Sequence, residues 1–171
     1  MTTRRSAVIL MAAGVLPAHV ARAQHEMRQA RANPAAYRLQ FFTRDEHRVI
    51  DHLTEMILPA SQRSPGASAA HVADFIDLVV ANSAPDTQKQ WRSGVEAFGG
   101  SAFLSLAPSE QAAKLNDAAR EEQSPLTPAG RFFAMLKSMT LHAYYTSEIG
   151  LHQELGYLGP QALASFLRCT G

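Results

Sequence analysis

From Phe41 to about Leu155 the apolar residues recur at helical spacing, and no stretch alternates with period two over a useful length. The pattern resolves into successive elements. Phe41-Phe42 precedes Thr43, which with Glu46 three residues on forms a capping box. The helix it opens carries Val49, Ile50, Leu53, Met56 and Ile57, and Pro59 ends it. Ala60 to Ala67 is a turn-rich loop. A second helix, from about Ala69 to Ala81, has the cleanest amphipathic stripe of the chain: Val72, Phe75, Ile76, Val79 and Val80. Asp86 can cap a third helix carrying Trp91, Val95 and Phe98, which Gly99-Gly100 closes. A fourth begins at Pro108, with Glu110 in its first turn and Ala112, Leu115 and Ala119 as its apolar side. Its N-cap is Ala107, which costs about 1 kcal/mol against Ser or Thr.

The fifth helix is the strongest. Thr127 serves as N-cap and Pro128 as first helical residue. Phe132, Met135, Leu136, Met139 and Ala143 form its stripe, widened by Phe133, Thr140 and Tyr144. The 17 residues from Pro128 to Tyr144 would span about 25 Å, enough to run through the middle of a small domain. After Gly150, Leu151 to Leu155 can add one more turn, and Gly156 to Gly171 reads as a loop-rich tail. The expected fold is all-α: a compact bundle of five or six helices over residues 41–171, with an extended arm over 24–40, where Asn33-Pro34 breaks any helix.

Residues 1–23 read as an export leader rather than as structure. Thr3-Arg4-Arg5 is a basic start, Ala7 to Leu16 a ten-residue apolar core, and Ala21-Arg22-Ala23 a small-x-small cleavage site. The core is too short for a stable membrane anchor. The paired Arg4 and Arg5, with a mildly hydrophobic core rich in Ala and Gly, favour the twin-arginine route over ordinary secretion. The expected location is the periplasm. That route moves proteins already folded.

Composition narrows the function. The chain has 171 residues, 46% of them hydrophobic, and a net charge of +1, so one globular domain with a real core is expected. Three of the 16 basic residues and no acid lie in the leader, leaving 13 against 15, a net −2. That gives no electrostatic case for nucleic acid. Cys169 is the single cysteine, so an internal disulfide is impossible; the thiol stays free or bridges to another chain.

Reactive constellations are hard to find. The histidines His25, His47, His52, His71, His142 and His152 form no HxxxH pair, and His47 and His52 point in different directions. No serine sits in a G-x-S-x-G elbow, no Gly-rich phosphate loop follows a strand, and no CxxCH haem site exists. The expectation is no catalytic, cofactor or metal site in this chain. Other residues invite a partner. Asp74 and Asp77 fall on the expected solvent-facing flank of the second helix, either as a solvated face or as a contact. Tyr144 and Tyr145 are about 100° apart on a helix, so one can face the core and the other outward. Ser147 and Glu148 come next, with loop glycines. An exposed tyrosine beside a glutamate suits an interface anchor; core packing with a satisfied hydroxyl is the competing account.

Several blocks taken in order resemble one family: Phe41-Phe42-Thr43 with Glu46, Ile57-Leu58-Pro59, Pro65-Gly66-Ala67, Val72-Ala73-Asp74-Phe75-Ile76-Asp77, Gly130-Arg131-Phe132-Phe133, and Tyr144-Tyr145-Thr146-Ser147-Glu148-Ile149-Gly150. Together they resemble the gluconate 2-dehydrogenase subunit 3 family, across roughly Phe41 to Cys169. The resemblance implies a non-catalytic small subunit of an exported sugar or polyol dehydrogenase. It implies a large GMC-type flavoprotein partner that holds FAD; in such complexes a cytochrome c subunit or domain, with haem c, often takes the electrons. The small subunit would support folding and export of the large one. Two other classes stand against it: a stand-alone periplasmic helical ligand-binding protein, and a small hydrolase.

Overall fold

The computed structural model describes residues 37–62 and 64–157. The leader with Arg4, Arg5, Ala21 and Ala23, most of the arm, most of the tail and Cys169 lie outside the described residues. Among the described residues five α-helices make the bundle: α1 (Arg44–Ile57), α2 (Val72–Ala81), α3 (Pro85–Ala97), α4 (Pro108–Arg120) and α5 (Pro128–Tyr145). A short 3-10 segment, Gly100–Ser105, links α3 to α4, and a wide helical turn, Ile149–Glu154, comes after α5. No strand occurs among the described residues. No helix among them is long and apolar enough to cross a membrane.

The helix starts follow the sequence closely. Thr43 Oγ1 accepts from the Glu46 N–H at 3.2 Å, and Glu46 Oε2 accepts from the Thr43 N–H at 2.8 Å. Thr127 Oγ1 likewise accepts from the Gly130 N–H at 3.0 Å. Ala107 has no side-chain oxygen, so α4 keeps only the return half of a box: the Glu110 carboxylate accepts from the Ala107 N–H at 2.9 Å. Asp86 is not the cap of α3. Pro85 takes the first helical position and Ala84 precedes it, because proline's fixed φ already suits that position. Asp86 lies in the first turn, where its charge meets the helix dipole.

The second helix departs most from expectation. It begins at Val72, not near Ala69, because His71 stands in the left-handed region at φ 55° and breaks the run of turns before it. It is also not amphipathic in place. Eight of its ten residues are buried, Asp77 among them. A helix apolar nearly all round belongs in the interior, and α2 is covered by α1, α3, α5 and the segment before α1. The solvent-facing placement of Asp77 is therefore corrected: its exposure is 0%.

Helix α5 touches all four other α-helices. Gly94 lets α3 approach it, since a Cβ there would stand 2.0 Å from the Phe132 ring. Trp91, Phe98 and Phe132 meet edge to face, at centroid distances of 5.6–5.7 Å. Phe103, on the unforeseen 3-10 segment, adds a further edge contact to Phe98 at 5.9 Å. Gly99 and Gly100, at φ 100° and 55°, make the reversal that drops Phe103 into the core. The buried side of α4 is Gln111, Leu115 and Ala118. Ala112 and Ala119 are only half-buried, so the expected face is turned by one residue. The reason is Gln111: its amide donates to Phe103 O at 3.0 Å and its oxygen meets His52 Nε2 at 2.9 Å. With that amide oriented so, His52 carries its proton on Nε2.

Candidate functional site

Two places hold the polar residues singled out from the sequence: the point where the chain joins the bundle, and the end of α5. At the first, Asp77 on α2 accepts four hydrogen bonds. Tyr37 Oη donates to Oδ2 at 2.6 Å and the Gln40 N–H at 2.7 Å; the Phe41 and Phe42 N–H groups donate to Oδ1 at 3.1 and 2.7 Å. These four donors meet its lone pairs, which offsets the cost of burying the group. Arg92 on α3 closes the same segment from outside. Its guanidinium stacks on the Phe41 ring at 4.4 Å, donates to Phe41 O at 3.0 Å, and pairs with Glu46 at 3.1 Å. Helices α2 and α3 thus hold the six residues Tyr37–Phe42 just ahead of α1.

One turn before Asp77, Asp74 is bracketed by two histidines. His47 Nε2 lies 2.8 Å from Oδ1 and His71 Nδ1 lies 3.1 Å from Oδ2. The hydrogen bond to Asp74 raises the His47 pKa above its ordinary value; partial burial opposes this, and the charges of Asp74, Asp51 and Asp77 add to it. Asp74 keeps about a fifth of its side-chain surface, so it is a rim group, unlike Asp77.

At the end of α5, Tyr144 points inward and Tyr145 lies at the edge, as the 100° step requires. Tyr144 is 2% exposed. Its hydroxyl donates to Pro65 O at 2.7 Å and bonds the Ser64 hydroxyl, which pins the Ser64–Ala67 loop to α5. Glu55 holds the other side of that loop, accepting from the Ala60 and Ser68 N–H groups at 3.1 and 2.9 Å. The Tyr145 ring stands edge-on to Tyr144 at 5.4 Å. Ser147 is buried and its Oγ accepts from the Gly150 N–H at 3.0 Å. A Cβ on Gly150 would lie 2.1 Å from Tyr144 O, so the chain can fold back here only with glycine. Glu148, just before it, is exposed, and beyond it Leu155 and Tyr157 are 59% and 46% exposed.

The six candidate contact residues therefore divide. Asp77, Tyr144 and Ser147 are buried and bonded within the chain; Asp74, Tyr145 and Glu148 retain surface. Sequence reasoning missed Arg92, Glu55, Ser64 and the two histidines about Asp74. Only the short Phe41-Phe42 run hinted that something grips the chain there. Among the described residues no group of three or more His, Cys, Asp or Glu could hold a metal ion. His142 Nε2 is buried without a hydrogen-bond partner among the described residues, its ring 6.1 Å from Phe75.

Compared with known proteins, residues 44–159 match the model of a family described as gluconate 2-dehydrogenase subunit 3. No curated protein and no solved structure matches the chain.

Proposed function

The chain belongs to the gluconate 2-dehydrogenase subunit 3 family, and from that premise we propose that it is the non-catalytic small subunit of a periplasmic FAD-dependent sugar or polyol dehydrogenase. Its partner is a large GMC-type flavoprotein, which binds FAD and oxidises the substrate; in such complexes a cytochrome c subunit or domain often takes the electrons. This chain supports folding of the large subunit and its export by the twin-arginine route.

The observation that carries the reading is the family match, which spans the blocks joined at both sites: the start of α1, the Pro65-Gly66-Ala67 loop, α2 and the end of α5. Physically, a protein that binds only the folded, flavin-loaded partner stabilises that state by mass action. The surface offered for this lies after the end of α5, where Tyr145, Glu148, Leu155 and Tyr157 retain surface within a short stretch of chain. Exposed tyrosines are among the residues enriched at protein contacts. The arm, launched from the grip on Tyr37–Phe42, adds reach to the partner.

Co-expression with a GMC-type flavoprotein from the same source tests the reading. The expected result is a co-purifying complex, and a large subunit that is soluble, exported and flavin-loaded only when this chain is present. A large subunit that is exported and turns over equally well alone would overturn it. So would sugar oxidation by the purified mature chain without companions.

A further inference from the structure

The turn that delivers the chain into α2 is closed by an unusual residue. His71 N–H donates to Ser68 O at 3.0 Å and Val72 N–H to Ala67 O at 3.2 Å. These two nested bonds form the closure in which one residue takes a left-handed conformation, and glycine is its ordinary occupant. Here it is His71, at φ 55°, the one non-glycine residue with positive φ among the described residues. A Cβ is disfavoured in that region, so the surroundings must hold the residue there.

The hold is Asp74. His71 Nδ1 lies 3.1 Å from its Oδ2, and its Oδ1 is 2.8 Å from His47 Nε2. One carboxylate in the first turn of α2 thus ties the turn before it to α1. The other titratable groups around the bracket are few. Asp51 on α1 and Asp77 on α2 add negative charge at His47. Glu55 on α1 accepts from the Ser68 N–H at 2.9 Å. From α5, the His142 ring lies 6.1 Å from the Phe75 ring. Residues 64–70 contain no ionisable side chain.

The bracket depends on the protons of its two rings. An imidazolium donates from both nitrogens, and its bond to a carboxylate is charge-assisted. A neutral imidazole has one N–H only. Neutral His71 must keep that proton on Nδ1, or else face Asp74 with a lone pair. The grip therefore weakens as the rings lose their protons, while the backbone strain at His71 stays the same.

We propose that His47, Asp74 and His71 form a pH-sensitive latch at the entry to α2. With the rings charged, it holds His71 left-handed and the Ala67–His71 turn closed. With the rings neutral, that turn loosens while the bundle stays folded. The Tyr144 bond to Pro65 O bounds the part that loosens. The latch acts within one chain and needs no partner, so it stands apart from the function proposed above.

Amide hydrogen exchange on the full mature chain at pH 6 and pH 9 tests this, each rate being divided by that of an unstructured peptide at the same pH. Protection of the His71 and Val72 amides should fall about 2- to 5-fold from pH 6 to pH 9. At both pH values it should stay well below that of Ile50 and Ile76, which lie in the core. His71→Gly accepts the left-handed φ without a ring to hold it, so its turn should be equally protected at both pH values. Asp74→Asn should show at pH 6 the lower protection that the unsubstituted chain shows at pH 9. Equal protection of His71 and Val72 at the two pH values in the unsubstituted chain overturns the proposal. So does protection as strong as that of Ile50 and Ile76, because the turn would then open only with the whole bundle. A pH dependence that survives in His71→Gly, or full protection at pH 6 in Asp74→Asn, overturns it equally.

Discussion

Where the chain joins the bundle, at Tyr37–Phe42, a buried carboxylate and an arginine hold it; where it departs, at Thr146–Tyr157, hydroxyl groups and a glycine do. Asp77 gathers three backbone N–H groups and a phenol, and Arg92 adds a carbonyl bond and a ring contact. The far end relies on Tyr144 to Pro65, Ser147 to Gly150 and the close approach of Gly150 to Tyr144 O. The first place leaves Phe42 4% exposed; the second leaves Leu155 at 59%. A charge-assisted network inside the protein is costly to break in part, because each orphaned donor keeps its desolvation penalty. Neutral bonds each contribute less than charge-assisted ones, so losing one costs less. One site is therefore built to stay fixed, and the other keeps surface available.

The sharpest way to break this contrast is Asp77→Ala. Three N–H groups and the Tyr37 hydroxyl would lose their acceptor in or near the core. With each orphaned buried donor costing about 1–3 kcal/mol, the expected loss is about 3–5 kcal/mol of stability, read by urea unfolding; a loss under about 1 kcal/mol would place the carboxylate outside the structural core. Tyr144→Phe at the other end should cost less. It strips Pro65 O and the Ser64 hydroxyl of one partner while keeping the ring, for an expected loss of about 1–2 kcal/mol. If Tyr144→Phe proved the more damaging of the two, the ranking of the two ends would be reversed.

The same contrast explains what the sequence could and could not convey. Helix starts at Thr43 and Thr127 were legible because a cap acts within four residues. The inward turn of one tyrosine at Tyr144-Tyr145 was legible from helix geometry alone. Asp77 was not. A carboxylate at its position in α2 reads as solvated unless one knows that backbone 35 to 37 residues earlier points its N–H groups there. Propensity and period carry no information at that separation. Asp74 and Asp77 look alike in the sequence, yet one is a rim group and the other a buried anchor. Phe103 escaped notice for a related reason: a lone aromatic after two glycines has no period to reveal it.

A smaller effect separates Asp74 from Asp77 by pH. The His47 pKa is raised in the folded protein, chiefly by its hydrogen bond to Asp74. Stability from that pair is fully present below the unfolded value of about 6.5 and is lost as pH rises through the folded value. The pair is partly exposed, so its contribution stays below about 1 kcal/mol. The wild-type advantage over His47→Gln should therefore be larger at pH 6 than at pH 9. Glu121 has the opposite sign: hydrogen bonds from Thr127, backbone first, lower its pKa, so its contribution is lost only in acid, as pH falls through that lowered value. A His47→Gln difference that grew as the pH was raised from 6 to 9 would contradict the bracket about Asp74.

The least disturbing change to the domain should be the most informative about the partner. Leu155 and Tyr157 are exposed, and the bonds that hold their backbone come from N–H and carbonyl groups that any side chain retains. Leu155→Ser with Tyr157→Ser should therefore shift stability by no more than about 0.5 kcal/mol. On the proposed function the same two side chains meet the flavoprotein. Truncating central apolar anchors of a protein contact costs about 2 kcal/mol or more, which is roughly a 30-fold weaker complex. The measurement is a titration of the large subunit with wild-type and doubly substituted chain, beside urea unfolding of each alone. Unchanged binding with unchanged stability would remove this end of α5 from the contact and move the search to the arm. Unchanged binding with a large stability loss would mean that Leu155 and Tyr157 are already covered within the chain, and the difference between the two ends would disappear.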